Sequence, residues 1–226
     1  MREIVLDTET TGLDPQAGHR VVEIACLELV NHVPTGNSFQ SYLNPEREMP
    51  LDAFAIHGLS TEFLASKPRF AEIADGFLGF IAEDALVIHN AEFDLRFINA
   101  ELERLTRSGL PRERAIDTVS LARRRFPGAQ ASLDALCRRF AIDLTQRTKH
   151  GALLDCELLA QVYLELVGGR EPGLGLADDR ALERQVDAEV AAAAAPRLVR
   201  EHAPSEAELA AHAAFLAKLK DPLWLA

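Results

Sequence analysis

The chain has 226 residues, with 24 Lys and Arg against 35 Asp and Glu, for a formal charge of −11. That length holds one large domain, or one domain of about 100–200 residues with an appendage; 48% hydrophobic and 26% charged residues exclude a disordered or collagen-like chain. The acidic balance argues against a protein that grips nucleic acid by its own charge. No apolar run approaches the roughly 18–20 residues of a membrane span, and Met1-Arg2-Glu3-Ile4 shows no apolar leader core, so a cytoplasmic protein with no membrane role is expected.

Ile4-Val5-Leu6 is a β-branched and apolar run that ends in Asp7-Thr8-Glu9-Thr10-Thr11-Gly12, which predicts a strand with carboxylates at its end. Val21 to Val30 and Ser38 to Leu43 predict two further strands, joined by a turn over Asn31 to Asn37 with Pro34 and Gly36 in it. A loop rich in Pro and His follows. The spacing of Phe70, Ile73, Phe77, Phe80 and Ile81 then predicts a helix to Ala82. Ala85 to His89 reads as a short buried strand, with Asn90 placed to cap the next helix, and Ala115 to Asp117 as another strand. Helices follow at Thr118 to Phe126, at Leu133 to Phe140 behind a Ser132 cap, and at Ala152 to Val167. A meander followed by alternating strands and helices implies an α/β chain with a mixed sheet and helices on its faces.

Cys26, Cys137 and Cys156 are odd in number and far apart, which reads as small buried hydrophobes and not as a disulfide or zinc framework. Composition shifts after residue 169. Residues 170–203 read as a linker, Pro- and Gly-rich at first and then Ala-rich and helix-prone, and Ser205-Glu206-Ala207-Glu208 is a capping-box pattern that opens a last helix.

The chemistry lies in the acids. Side chains alternate along a strand, so Asp7 and Glu9 project from one face, and two adjacent carboxylates repel unless a cation sits between them, although surface acids at that spacing are common. Hard oxygens of this kind suit Mg²⁺ or Mn²⁺ better than zinc or copper. Asp94 heads an apolar helical stripe with Phe97, Ile98, Leu102 and Leu105, and Asp155 heads another with Leu158, Leu159, Val162, Tyr163 and Leu166. Both carboxylates should therefore face the sheet, and leaving them unpaired there would be costly. His150 stands five residues before Asp155, about 140° away on an ideal helix, so it can share a site with Asp155 only from the loop before that helix. An imidazole there would accept a proton near neutral pH.

Asp7-Thr8-Glu9-Thr10-Thr11-Gly12, His89-Asn90-Ala91-Glu92-Phe93-Asp94 and His150-Gly151-Ala152-Leu153-Leu154-Asp155 occur in that order and together resemble the three exonuclease motifs of the DEDDh, DnaQ-like 3′→5′ exonucleases. Ile56-His57-Gly58-Leu59-Ser60 and Ser132 to Cys137 also look like typical segments of that family. The resemblance implies a ribonuclease-H-like exonuclease fold over residues 1–169. It implies two divalent cations, Mg²⁺ or Mn²⁺, held by Asp7, Glu9, Asp94 and Asp155, with His150 as general base. It further implies a pocket for the terminal nucleotide of a single-stranded 3′ end, lined by Thr10, His57, His89 and Phe93, with Asp52 near the 3′-hydroxyl. Phe93, four before Phe97, reads equally well as core.

Residues 204–226 resemble the polymerase-binding tail of the epsilon branch of that family, the proofreading subunits of bacterial DNA polymerase III. This implies a flexible tail that docks on the alpha polymerase subunit through anchors at Leu209, Phe215, Leu216, Leu219 and Trp224. Arg170 to Leu176 holds no Gln or aromatic residue where a sliding-clamp motif would stand, which argues against clamp binding. An RNA or small-oligonucleotide exonuclease would share the metal chemistry. A silent binding module would be expected to lack one of the four acids or the histidine, and all five are present. Arg104 to Lys149 carries 11 basic residues against 4 acidic ones, a block that suits contact with a strand inside an otherwise acidic chain.

Overall fold

Five strands form one sheet in the order β3-β2-β1-β4-β5, from β1 (Arg2–Thr10), β2 (Val21–Val30), β3 (Val33–Tyr42), β4 (Ala85–Ile88) and β5 (Ala115–Asp117). β1, β2 and β3 pair antiparallel, and β4 and β5 add parallel strands beside β1, which gives the mixed ribonuclease-H-like sheet that the motifs imply. The structure is a computed structural model, and it describes residues 1–145, 147, 149–168 and 204–218. The chain divides into two units, Met1–Gly173 and Leu174–Ala226.

Strand alternation sorts the core into two layers. Ile4, Leu6, Ile24, Cys26, Leu86 and Ile88 face one side, where α3 (Phe70–Ile81) and α4 (Ala91–Arg104) bring Phe77, Ile81, Phe97 and Ile98. Val5, Ala25, Leu27 and Val87 face the other, covered by α5 (Thr118–Arg125), α6 (Leu133–Arg139) and α7 (Ala152–Val167) through Ala122, Leu136, Leu159 and Val162. All three cysteines are buried and free. Ser132 caps α6, its hydroxyl accepting the Ala135 N–H at 3.3 Å.

Three local expectations need correction. The hairpin turn is confined to Asn31 and His32, both at positive φ, and β3 begins at Val33 with Pro34 and Gly36 inside it. Pro34 is tolerated because β3 is the sheet edge, where a missing N–H breaks no inner ladder. The loop after β3 contains two short helices, α1 (Leu51–His57) and α2 (Thr61–Ala65). α1 closes on Gly58 at φ 76°, and Ser60 caps α2 by accepting the Phe63 N–H. Asn90 sits in the left-handed region at φ 66° and makes no side-chain cap; its N–H donates to Asp117 Oδ1 at 3.2 Å.

The second unit is described over 204–218, and it contains α8 (Glu206–Leu216). The capping box is formed: Ser205 Oγ accepts the Glu208 N–H at 3.3 Å, and Glu208 accepts the Ser205 N–H at 2.8 Å. Leu209 and Phe215 are exposed, whereas Leu216 is buried. Leu219, Trp224 and the linker lie outside the described residues.

Candidate active site

The C-terminal end of β1 gathers the acids. Asp7 and Glu9 share the face of Val5, so they point toward α7, which presents the buried Asp155 from its first turn. Thr8 faces the opposite layer, toward α4. There Asp94, also buried, accepts the Thr8 N–H at 3.0 Å and the Thr8 hydroxyl at 2.7 Å. One strand end thus draws a carboxylate from each helical layer, because consecutive residues of β1 serve opposite faces.

His150 lies in the loop before α7, with its N–H donated to the Ile56 carbonyl at 3.3 Å, and its Nδ1 stands 3.3 Å from Asp155 Oδ2. Ligand atoms of Glu9, His150 and Asp155 lie within 4.8 Å of one another.

Electrostatic crowding is severe. Asp7 is pushed well above the usual carboxylate range, first by burial and then by the charges of Asp94, Glu9, Asp155 and Glu23. Burial is also the main cause that lifts Glu9 to about 8 and Asp94 to about 7; the Thr8 hydrogen bonds oppose the rise at Asp94. Asp155 differs. Burial raises its carboxyl, but hydrogen bonds from Arg147 and His150 outweigh this and leave it below its ordinary value. His150 is raised, chiefly by its contact with Asp155, against burial and the Arg147 charge.

Neither helix-borne acid is left without a donor. Asp94 has two donors from Thr8, and Asp155 has a bidentate guanidinium, with Arg147 Nε and Nη2 at 2.7 and 2.6 Å. Arg147 was legible only as one cation of the basic block. Other members of that block are held in structural contacts: Arg107 pairs with Asp75, Arg114 donates to the carbonyls of Ile81, Ala82 and Asp84, and Arg125 to carbonyls at the end of α7.

A further acid also joins the cluster. Glu23 stands opposite Glu9 in the β1–β2 ladder, is 2% exposed, and accepts the Ala152 N–H at the start of α7 at 3.2 Å and the Gln40 amide at 2.7 Å. A lone carboxylate inside Val21-Val22-Glu23-Ile24-Ala25-Cys26 is the sequence signal that marks it.

A cavity of about 550 Å³ opens beside Glu9 and is lined by Thr10, Leu13, Asp52, Ile56, His57 and Phe93, among others. His57 Nδ1 accepts the Leu59 N–H at 3.1 Å, and its Nε2 is buried with no hydrogen-bond partner among the described residues. Phe93 packs against Phe97 with ring centroids 5.0 Å apart and also lines the cavity. His89 is placed differently. It lines a second cavity of about 650 Å³ with Asn90, Asp117 and Arg123, and its Nδ1 lies 2.9 Å from Thr118 Oγ1.

Comparison with known proteins agrees with this architecture. Residues 4–163 match the family model described as an exonuclease. The chain is 55% identical over 181 residues to the DNA polymerase III subunit epsilon of Rickettsia felis, covering 79% of each chain. It is 42% identical over 229 residues to that of Escherichia coli K12, covering 95% of this chain and 92% of the relative. Among solved structures, exonuclease X in complex with 5′ overhanging duplex DNA superposes with a TM-score of 0.57 at 27% identity, covering 73% of this chain and 90% of that one. The chain belongs to the exonuclease family and, within it, to the DNA polymerase III epsilon subunits, and it is a 3′→5′ exonuclease.

Proposed function

We propose that this chain is the proofreading subunit of a bacterial replicative DNA polymerase III and removes 3′-terminal nucleotides from single-stranded DNA ends as nucleoside 5′-monophosphates. The observation that carries this reading is the convergence of Asp7, Glu9, Asp94, Asp155 and His150 at the end of β1, beside a cavity of nucleotide size lined by Thr10, Asp52, His57 and Phe93.

Enzymes of the DEDDh type are metal-dependent, and the residues present fit such a requirement. Four carboxylates supply hard oxygens, and the upward shifts of Asp7, Glu9 and Asp94 are of the kind that a nearby cation relieves. We assign Asp7, Glu9 and Asp155 to one ion and Asp7 and Asp94 to a second, either Mg²⁺ or Mn²⁺. When bound, two such ions stabilise charge on the attacking and leaving oxygens of an in-line displacement.

The chain's own groups do the rest. His150 takes a proton from water at Nε2, since Nδ1 is turned toward Asp155. The oxygen of that water bonds to phosphorus as the bond to the 3′-oxygen breaks, and the 3′-oxygen leaves with the bonding pair and takes a proton from solvent to become the new 3′-hydroxyl, while His150 returns its proton to solvent. Thr10, His57 and Phe93 hold the terminal nucleotide, with His57 lining the cavity and Asp52 toward its 3′-hydroxyl. His89, in the neighbouring cavity, bears on the strand next to that nucleotide.

On this reading residues 1–169 are the nuclease domain, 170–203 a linker and 204–226 the segment that docks on the alpha subunit in the cytoplasm. The exposed Leu209 and Phe215 of α8 support this docking role. No described helix is long and apolar enough to cross a membrane.

Hydrolysis of a mismatched DNA primer and of a short RNA, each with and without chelator, tests the proposal. Loss of activity with chelator and in Asp7→Ala or Asp155→Ala, with DNA preferred, is expected. Undiminished activity in excess chelator refutes the metal assignment, and a preference for RNA refutes the proofreading role. Deleting 203–226 should abolish co-elution with the alpha subunit and leave hydrolysis unchanged; loss of nuclease stability instead would mean that the tail serves its own domain.

A further inference from the structure

Among the described residues, Arg147 is the only guanidinium that bonds to the acidic centre, and it does so from three sides. It grips both oxygens of Asp155 on α7 at 2.7 and 2.6 Å, reaches Asp134 Oδ1 on α6 at 2.5 Å, and places Nη2 2.9 Å from His150 Nδ1. Its side chain is only 9% exposed, so this is a desolvated bidentate pair and not a surface ion pair.

We propose that Arg147 is a built-in surrogate cation, a positioning residue that neutralises Asp155 and latches His150 until a divalent ion takes its place on Asp155. The inference rests on the reading of Asp155 as a metal ligand. The oxygens that the guanidinium occupies are the ones that a metal would need, and one of them belongs to the Glu9, His150 and Asp155 set within 4.8 Å. A divalent ion on these oxygens competes with the guanidinium for their lone pairs, and two cations on one buried carboxylate repel each other, so loading favours displacement of the arginine.

The contact with His150 has a chemical consequence. A guanidinium carries donors only, so a nitrogen that bonds to it must accept. Nδ1 cannot accept from Arg147 and donate to Asp155 at once; in the tautomer that accepts from Arg147 the ring proton sits on Nε2, and Nε2 cannot then take a proton from water. Displacement of Arg147 from Asp155 frees Nδ1 to carry the proton toward Asp155 Oδ2, 3.3 Å away, and opens Nε2 as the base. Asp134 gives the displaced arginine a remaining partner; its side chain is 41% exposed, so the freed charge is not stranded in the interior. The latch would keep His150 silent until the site is loaded.

The full-length chain, stripped of metal, tests this by calorimetric titration with Mn²⁺ in the absence of DNA, alongside ¹⁵N shifts of the His150 ring. Arg147→Gln should bind Mn²⁺ tenfold or more tighter than wild type, and the metal-free wild type should show the Nε2–H tautomer that the variant loses. Arg147→Lys keeps the charge but not the fork, so it should also bind more tightly, to a smaller degree; it carries the test if the glutamine variant does not fold. Asp155→Asn is the control for the underlying reading. If it leaves Mn²⁺ affinity intact, Asp155 is no ligand and both readings fall. If it weakens binding while Arg147→Gln and Arg147→Lys match wild type or bind more weakly, the surrogate-cation proposal alone is overturned.

Discussion

Glu9→Gln should stabilise the metal-free protein, and increasingly so as pH rises. Glu9 is 9% exposed and faces Glu23 across the β1–β2 ladder, and its carboxyl is lifted from an ordinary 4.5 to about 8, mainly by burial. The unfolded chain gives up this proton above pH 4.5 while the folded chain keeps it to about 8. The unfolded state therefore binds fewer protons across that window, and stability falls as pH rises. At about 1.4 kcal/mol per pH unit, the penalty grows by about 3 kcal/mol between pH 4.5 and pH 7. Gln is neutral and nearly isosteric, so it escapes this penalty. For a domain of this size about 3 kcal/mol corresponds to a gain in Tm of roughly 6–12 °C at pH 7 in chelator, shrinking toward nothing near pH 4.5. Thermal melts in EDTA from pH 4.5 to 9 measure it. Saturating Mn²⁺ should then raise wild type more than the variant, because a ligand that binds only the native state stabilises in proportion to its affinity. A pH-independent gap, or a variant less stable than wild type at pH 8 in EDTA, would refute the crowding argument.

Two further outcomes follow from the same geometry. Arg20 binds both oxygens of the buried Glu101 at 2.6 and 2.8 Å, tying the start of β2 to α4; Arg20→Ala leaves that carboxylate buried and unpaired and should cost about 3–5 kcal/mol in urea unfolding, and a loss below about 1 kcal/mol would mean that water takes over the role. As a base, His150 works only when deprotonated, and its contact with Asp155 lifts it above 6.5, so kcat/KM should rise with pH through a limb above 6.5. His150→Gln should remove that limb and lower the rate by about 10²–10⁴-fold; a limb that survives the substitution belongs to another group.

The amino-acid sequence by itself determined the elements whose evidence is local. Alternation placed Asp7 and Glu9 on one face. Helical periodicity turned Asp94 and Asp155 inward, and the distance from His150 to Asp155 put the histidine in a loop, because two residues per strand repeat and 3.6 per helical turn are backbone geometry that neighbours do not alter. Ser132 and Ser205 marked helix starts for the same reason. α1 and α2 escaped because seven and five residues are too few for a periodic stripe, and β3 was cut short because Pro34 and Gly36 look like a turn wherever the strand's edge position is unknown.

What only the tertiary structure decided is which charge meets which. Arg147 could have lain on a solvated face, but the packing of α6 beside α7 places it between Asp134 and Asp155. Glu23 becomes a member of the acidic cluster through the β1–β2 register, and Thr8 becomes the partner of Asp94 through the layer that α4 occupies, 86 residues away in sequence. Periodicity says that a side chain points inward; the order of strands and the seating of helices on the two faces say what it finds there. That pairing depends on contacts between distant segments, and no local pattern encodes them.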